Sequence, residues 1–357
     1  MVNIYTLGMA GTLFAMCLLN GVKESSRNKS MLCIYVLFWG SLMAFRSLDV
    51  GTDTYAYSVN AFFEFATQST DASEFYKMPV YAMYNNIIGV FGTNPHIPVL
   101  FNSFIYVIGV CLFLYYNSEN FSMSCFYFIS IAYYFFAMNA ARQSLAMMLV
   151  LWAYHFMARR SYISATLMML LAVGTHATAI AGMLIIILPL LNMNRKKFLM
   201  AAIISFVSIF MFETFMVLYV KLFPAYTGYM DISRTNSLHE ASEGKRIYVG
   251  LIFLVMLVIC YFWKKKKRII FHDENAFWSL FTIALIGIEF MILLYHNSFA
   301  ARIEYYFTYF FMLFLPLCIE RFFAKESRYI AYGGTIVIFL ILFYIRIQPY
   351  LPYILWG

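Results

Sequence analysis

The chain has 357 residues, 63% hydrophobic and only 12% charged, which excludes an ordinary soluble domain, where about a quarter of residues carry charge. Its formal net charge of +8 could serve a nucleic-acid binder, but the lysines and arginines sit in short clusters between apolar runs, the pattern that sets membrane topology. Nucleic acid is therefore set aside as a partner, and six cysteines scattered through apolar segments without CxxC or Cys/His spacing indicate neither a disulfide framework nor a zinc site.

The first apolar run, 4–20, has no positive residue before it and Lys23, Arg27 and Lys29 after it, the reverse of a cleavable signal peptide. It reads as a retained helix with its N-terminus outside. Crossing a hydrocarbon core of about 30 Å takes about 20 apolar residues. The runs 31–46, 97–116, 122–138, 142–158, 161–174, 177–191, 198–220, 247–263, 276–295, 302–320 and 329–346 complete a set of about twelve. The expected fold class is all-α: a polytopic transmembrane helical bundle, a single integral membrane domain over 1–357. The two runs around His176 are short, so their junction is expected below the membrane surface, where a non-helical break needs protein or water around it.

Alternate loops carry Lys23, Arg27 and Lys29; nothing basic in 117–120; Arg159 and Arg160; Arg195, Lys196 and Lys197; Lys264 to Arg268; and Arg321, Lys325 and Arg328. By the positive-inside rule these loops are cytoplasmic and both termini lie outside. The 264–268 run could also bind anionic lipid, although a topology anchor explains it. Two longer segments fall on the outer side. Residues 54–97, with Glu64, Asp71, Glu74 and Lys77 among aromatics, read as an interfacial segment. Residues 222–246 read as a long polar loop and a candidate lid. No internal repeat is visible, so nothing supports a transporter built from two halves.

The ionisable residues within the membrane region fall near the outer surface: Arg46, Asp49 and Asp53 after the second run, Arg142 opening the fifth, His176 at the break, and Arg302 opening the eleventh. An ionisable residue there is a functional hypothesis by default. Plainer readings exist. Arg46 or Arg346 can be a snorkelling anchor, Asp53 or Thr52 can cap a following helix after the Gly51 turn, and His176 can be a satisfied core histidine. The plainer reading is weakest for Arg142, because the outer side disfavours arginine and Asn139, Gln143 and Ser144 make a polar patch beside it. Tyr55, Tyr57, Tyr305 and Tyr306 adjoin these motifs, while the aromatic content as a whole suits interfacial belts and packing. No carboxylate cluster suited to a divalent metal appears on the outer side, so no cofactor is expected. Arginine forks could bind a phosphorylated lipid instead.

Arg46-x4-Gly51-Thr52-Asp53-x3-Tyr57, with Arg142-Gln143-x2-Ala146, His176-x-Thr178-Ala179 and Arg302-Ile303-x-Tyr305-Tyr306-Phe307 in that order, resembles the EpsG family, which groups with Wzy-type polymerases of O-antigens, capsules and exopolysaccharides. The resemblance implies a glycosyltransferase of the GT-C kind in the bacterial inner membrane. Such an enzyme moves a growing glycan from undecaprenyl pyrophosphate onto the next lipid-linked repeat unit on the periplasmic side, with membrane lipids around it and room for a chain-length-regulator protein. The chemistry needs cations for the leaving pyrophosphate and a base for the attacking hydroxyl. Arg142 and Arg302, with Arg46 as a third, suit the first; His176, or else Asp53 or Asp49, suits the second. Gln143, Thr52, Tyr57 and Tyr305 are candidate substrate contacts, and a single displacement would invert the anomeric centre. An O-antigen ligase shares the Arg/His chemistry, and only the motif set argues against it. A lipid-linked oligosaccharide flippase would place cations through the depth of the bundle, and a scaffold would not need Arg142 and His176 at the outer surface.

Overall fold

A computed structural model describes residues 3–51, 53–55, 62–66, 78–131, 133–222, 232–267, 273–295 and 298–356. Helix dominates these residues and no strand occurs among them. Among the described residues, six helical segments are long and apolar enough to cross a membrane: Ile4–Gly21, His96–Asn117, Ile247–Lys265, Glu274–Leu293, Ala300–Phe322 and Lys325–Arg346. Phe121–Ser130 and Tyr133–Asn139, bent by 47° at their junction, would together make a seventh. The chain is thus a polytopic helical membrane protein.

Several other runs expected to span are broken or short. The 31–46 run is divided among Glu24–Ile34, a π-helical turn Tyr35–Trp39 and Gly40–Ala44. A π turn leaves carbonyls out of the regular ladder, and the Tyr134 hydroxyl donates to Trp39 O at 2.8 Å. The 198–220 run breaks at Met211, between Arg195–Phe210 and Phe212–Leu222. The two runs around His176 form Tyr162–Thr175 and Ala177–Leu191, each below spanning length. The polar stretch expected as a loop differs most: residues from Ile232 onward belong to one helix, Ile232–Lys267, of 36 residues. Once a helix is nucleated by its apolar part, each further residue adds a hydrogen bond without a new nucleation cost. Residues 223–231 lie outside the described set, as does most of the interfacial segment before Met78.

Two compact units divide the chain, Met1–Ile180 with Leu315–Gly357, and Ala181–Phe314. In the first, His96–Asn117 runs between two polar ends. At the Asn117 end, Arg159 donates to Asn117 Oδ1 at 3.1 Å and Arg321 pairs with Glu119 at 2.6 Å. Glu320 there accepts from Arg328 at 2.6 Å, Tyr332 at 2.8 Å and Asn120 at 3.2 Å. A partly buried carboxylate is stable only when its oxygens are satisfied in this way. At the His96 end, Tyr5 packs edge-on against Phe135 and Tyr353, and the chain segments near residues 5, 46, 138 and 353 meet. Loops that the basic-residue pattern assigns to one membrane side therefore cluster together within this unit.

The second unit repeats that grouping. Asn275 binds Met193 N–H at 2.6 Å and Pro189 O at 2.7 Å, Arg195 donates to Tyr261 at 2.9 Å, and Lys264 pairs with Glu274 at 2.7 Å. Farther along, Glu274–Leu293 packs closely on Ser298–Thr308 at Gly287. A Cβ there would lie 2.9 Å from Thr308 Cγ2, 3.0 Å from Phe307 Cβ and 3.1 Å from the Thr308 backbone nitrogen. Two of these atoms cannot rotate away, and without a strong hydrophobic drive between helices in lipid, close approach at small residues is what holds such pairs. Gly287→Val is expected to cost about 1–3 kcal/mol through overpacking, seen as a lower thermal midpoint of the purified protein in detergent, whereas Gly333→Val, at a position with nothing within 4 Å, leaves the midpoint unchanged.

Candidate functional site

The Arg46 turn organises one end of the first unit. Gly40–Ala44 ends there, and the Arg46 side chain turns inward with 3% of its surface exposed. Its Nε donates to Val50 O at 3.3 Å, Nη2 to Met138 O at 3.2 Å, and Nη1 to Met43 O and to Ser103 Oγ at 3.4 Å. Met138 lies in the last turn of Tyr133–Asn139, so the guanidinium satisfies a carbonyl that the helix end leaves open and neutralises its partial negative charge. Thr54 Oγ1 donates to Val50 O at 2.9 Å and also lies 3.0 Å from Met138 O. Gly51, at φ +100°, closes the turn. A Cβ there would meet Asn139 Oδ1 at 2.7 Å, Thr54 Oγ1 at 2.8 Å and Met138 O at 3.2 Å, so both conformation and space require glycine.

The guanidinium faces the protein's own carbonyls as well as a small cavity. Tyr353 closes the same end, donating to Leu42 O at 3.1 Å; burial pushes its hydroxyl above the usual phenol range, opposed by the charge on Arg46. Arg46, Thr54, Asn102, Ser103 and Ser144 line a small cavity, and Asn102 Oδ1 and Ser144 Oγ are buried in it with no hydrogen-bond partner among the described residues.

Four residues after Met138, Arg142 opens the Ala141–Ala158 helix and is half-buried. Its Nη1 lies 2.8 Å from Met78 Sδ and its guanidinium carbon 5.7 Å from the centre of the Tyr81 ring, an attraction between cation and ring face. Gln143 and Ser144 behind it are buried. His176 stands at the break after Tyr162–Thr175 with extended backbone, φ −155° and ψ 121°. Its imidazole is 9% exposed, with Nδ1 2.7 Å from Thr178 Oγ1, which orients the ring. Gly174, two residues earlier, lets this helix end close on Pro79–Gly89: a Cβ would fall 2.5 Å from Val80 Cγ2. Met78, Val80 and Tyr81 thus link Arg142 to the His176 break. The Arg46, Arg142 and His176 motifs all belong to the first unit.

The remaining candidates are placed less centrally. Asp49 is exposed and accepts from Ser47 Oγ at 3.0 Å. Asp53 is exposed in the turn before Thr54. Thr52 and Tyr57 lie outside the described residues. Arg302 and Tyr305 belong to the second unit, half-buried on Ser298–Thr308, whose opposite face buries Ala300, Glu304, Phe307 and Thr308. Glu304, 1% exposed, is a carboxylate that the sequence reading passed over although it fills the variable position of the Arg302 motif. Glu289, which accepts from Ser205 near the C-terminal end of the apolar helix Glu274–Leu293, was passed over too. For both, the available signal was a lone acid within an apolar run.

The model of the EpsG family matches residues 29–355, and the chain belongs to that family. Neither the curated proteins nor the solved structures compared include a match.

Because Arg46 feeds several acceptors at once, Arg46→Lys is expected to leave buried carbonyls unpaired at about 1–3 kcal/mol each, lowering the thermal midpoint and the yield of monodisperse protein on size-exclusion chromatography. Gly51→Ala should do the same. Arg142→Lys, at a half-buried helix start, should leave both measures near wild type.

Proposed function

We propose that this member of the EpsG family is a polysaccharide polymerase of the bacterial inner membrane that joins undecaprenyl-pyrophosphate-linked oligosaccharide repeat units on the periplasmic side. The observation that carries the reading is that Arg142 and the helix end before His176 both pack on the 78–81 segment, Arg142 on Met78 and Tyr81 and Gly174 on Val80. Glycosyl transfer needs a fixed cation and a proton acceptor near one another. A sugar hydroxyl of one repeat unit attacks the anomeric carbon of the lipid-linked glycan; the bond to the pyrophosphate oxygen breaks, and the leaving group keeps the electron pair. The developing negative charge falls to arginine, where a bidentate fork matches phosphate oxygens without a metal. The hydroxyl proton goes to the His176 imidazole, with exposed Asp53 or Asp49 as the alternative base.

In this reading Arg142 is the first pyrophosphate ligand and Arg302 the second. Gln143, Thr52, Tyr57 and Tyr305 contact the substrate. Arg46 acts as a positioning residue, since the carbonyls it holds include Met138, close before Arg142. A single displacement inverts the anomeric configuration. The short helices on either side of His176, together with the broken 31–46 and 198–220 runs, complete about twelve membrane passages of a GT-C-like arrangement. A chain-length-regulator protein is the expected partner besides the lipid-linked substrate and membrane lipids.

The orientation is tested by single-cysteine labelling from outside intact spheroplasts: Asp49→Cys should react with an impermeant maleimide and Lys265→Cys only after permeabilisation, and the opposite pattern would put Arg142 and His176 on the wrong side for this chemistry. In a reconstituted assay with lipid-linked repeat units, Arg142→Ala should abolish the glycan ladder and Arg142→Lys restore little of it. For His176→Gln the expected loss is about 10² to 10⁴ in rate, the usual worth of general-base help. Because a base must be unprotonated to work, wild-type rate should rise from acidic to neutral pH and this rise should vanish in His176→Gln. A near-normal ladder from His176→Gln would transfer the role to Asp53 or Asp49.

A further inference from the structure

Beside the Arg46 turn lies an aromatic surface that neither the packing nor the proposed chemistry uses. The segment after Tyr350 runs along residues 45–47: Ser47 N–H donates to Ile354 O at 2.8 Å, Trp356 N–H donates to Phe45 O at 2.9 Å, and Arg46 and Leu355 form an isolated antiparallel bridge. This pairing fixes the Trp356 backbone. Its indole lies flat on the His96 imidazole, ring centroids 4.1 Å apart and planes 5° from parallel. Asn94 Oδ1 accepts from the His96 backbone N–H at 2.9 Å and lies 3.3 Å from Nδ1, which orients the imidazole in turn. Trp356 still exposes 40% of its surface and Phe45, next to Arg46, a similar share. The indole is thus stacked on the imidazole and still partly exposed.

A tryptophan that serves only as an interfacial anchor needs no such support, because its ring settles among lipid headgroups by itself. Here both the backbone and the ring are held, and an amide stands at the rim. A rigid aromatic face with a few placed polar groups is the chemistry that recognises a sugar ring, whose C–H face packs on the aromatic plane while its hydroxyls meet the polar groups. The platform is attached by two backbone hydrogen bonds to the segment that carries Arg46. A glycan held on it would lie beside the segment that carries Arg46.

We propose that Trp356 and His96 form a subsite for a sugar ring of the glycan, retaining the chain beside the Arg46 turn between additions. The proposal rests on the polymerase reading given above. Its test uses the full chain in nanodiscs and, as probe, oligosaccharide released by mild acid from the host's own lipid-linked repeat units. Titration followed by saturation-transfer NMR should show binding by wild type that weakens about tenfold in Trp356→Ala, the scale of one lost aromatic contact, with Trp356→Phe between them. In the polymerisation assay Trp356→Ala should shorten the products and lower kcat/KM for a several-unit acceptor more than for a single-unit one. Equal binding by wild type and Trp356→Ala would overturn the subsite, as would loss of Trp356→Ala from the membrane fraction, which would make the ring an anchor. Probe binding that depends on Trp356, with no ladder from wild type, would keep the subsite and remove the polymerase. A ladder without such binding would do the reverse.

Discussion

The Arg46 guanidinium gathers carbonyls from Met43, Val50 and Met138 into one buried cluster, and the candidate site depends on that cluster. In a hydrocarbon environment an open helix end is costly unless its backbone groups find partners inside the protein. Two helices stop here, Gly40–Ala44 and Tyr133–Asn139, and one planar cation with five donors answers both. Lysine could not, since its single charged point lacks the fork. The arrangement then fixes where Ala141–Ala158 begins, which places Arg142 against Met78 and Tyr81. One arginine is thus held in place by its own backbone neighbours, while another, four residues past Met138, opens the next helix half-buried.

The opposite polar end of the first unit works differently. Glu320 is surrounded by Arg328, Tyr332 and Asn120, and Arg321 meets Glu119. These are side-chain pairings between helix ends. The contrast separates an end held by backbone carbonyls, glycine and aromatic rings from one held by ion pairs.

Much of this was legible in the sequence, for reasons that are local. Basic clusters report which loops share a side, and within each unit the structure groups such loops: 117–120 with 159 and 320–328, and 189–197 with 261–275. The Gly-Thr-His run marked a break, and the break is there. What was hidden is relational. Nothing in a string of apolar residues distinguishes a straight helix from one with a π turn at Tyr35–Trp39 or a bend of 47° before Tyr133, because composition is the same on both sides. The polar 232–246 stretch looked like a loop since loops are polar, yet helix extends through it. The sequence shows the charge of Arg46 and not the carbonyls it meets. Glu304 went unread because the helix face it occupies is defined only once Gly287 meets Phe307 and Thr308.

The π turn at Tyr35–Trp39 has a consequence for the numbering of everything after it. Such a turn accommodates an extra residue within an otherwise regular helix, and each residue of an α-helix advances the face by about 100°. Downstream side chains are therefore set in a different angular phase from the one that Glu24–Ile34 would dictate. Removing one residue from the turn would relax it to ordinary helix and swing Arg46 roughly a quarter turn or more around the axis, out of line with Val50 and Met138. The insertion acts as a phase adjuster, and a deletion there is felt at the far end of the helix while every contact of the deleted residue itself could be spared.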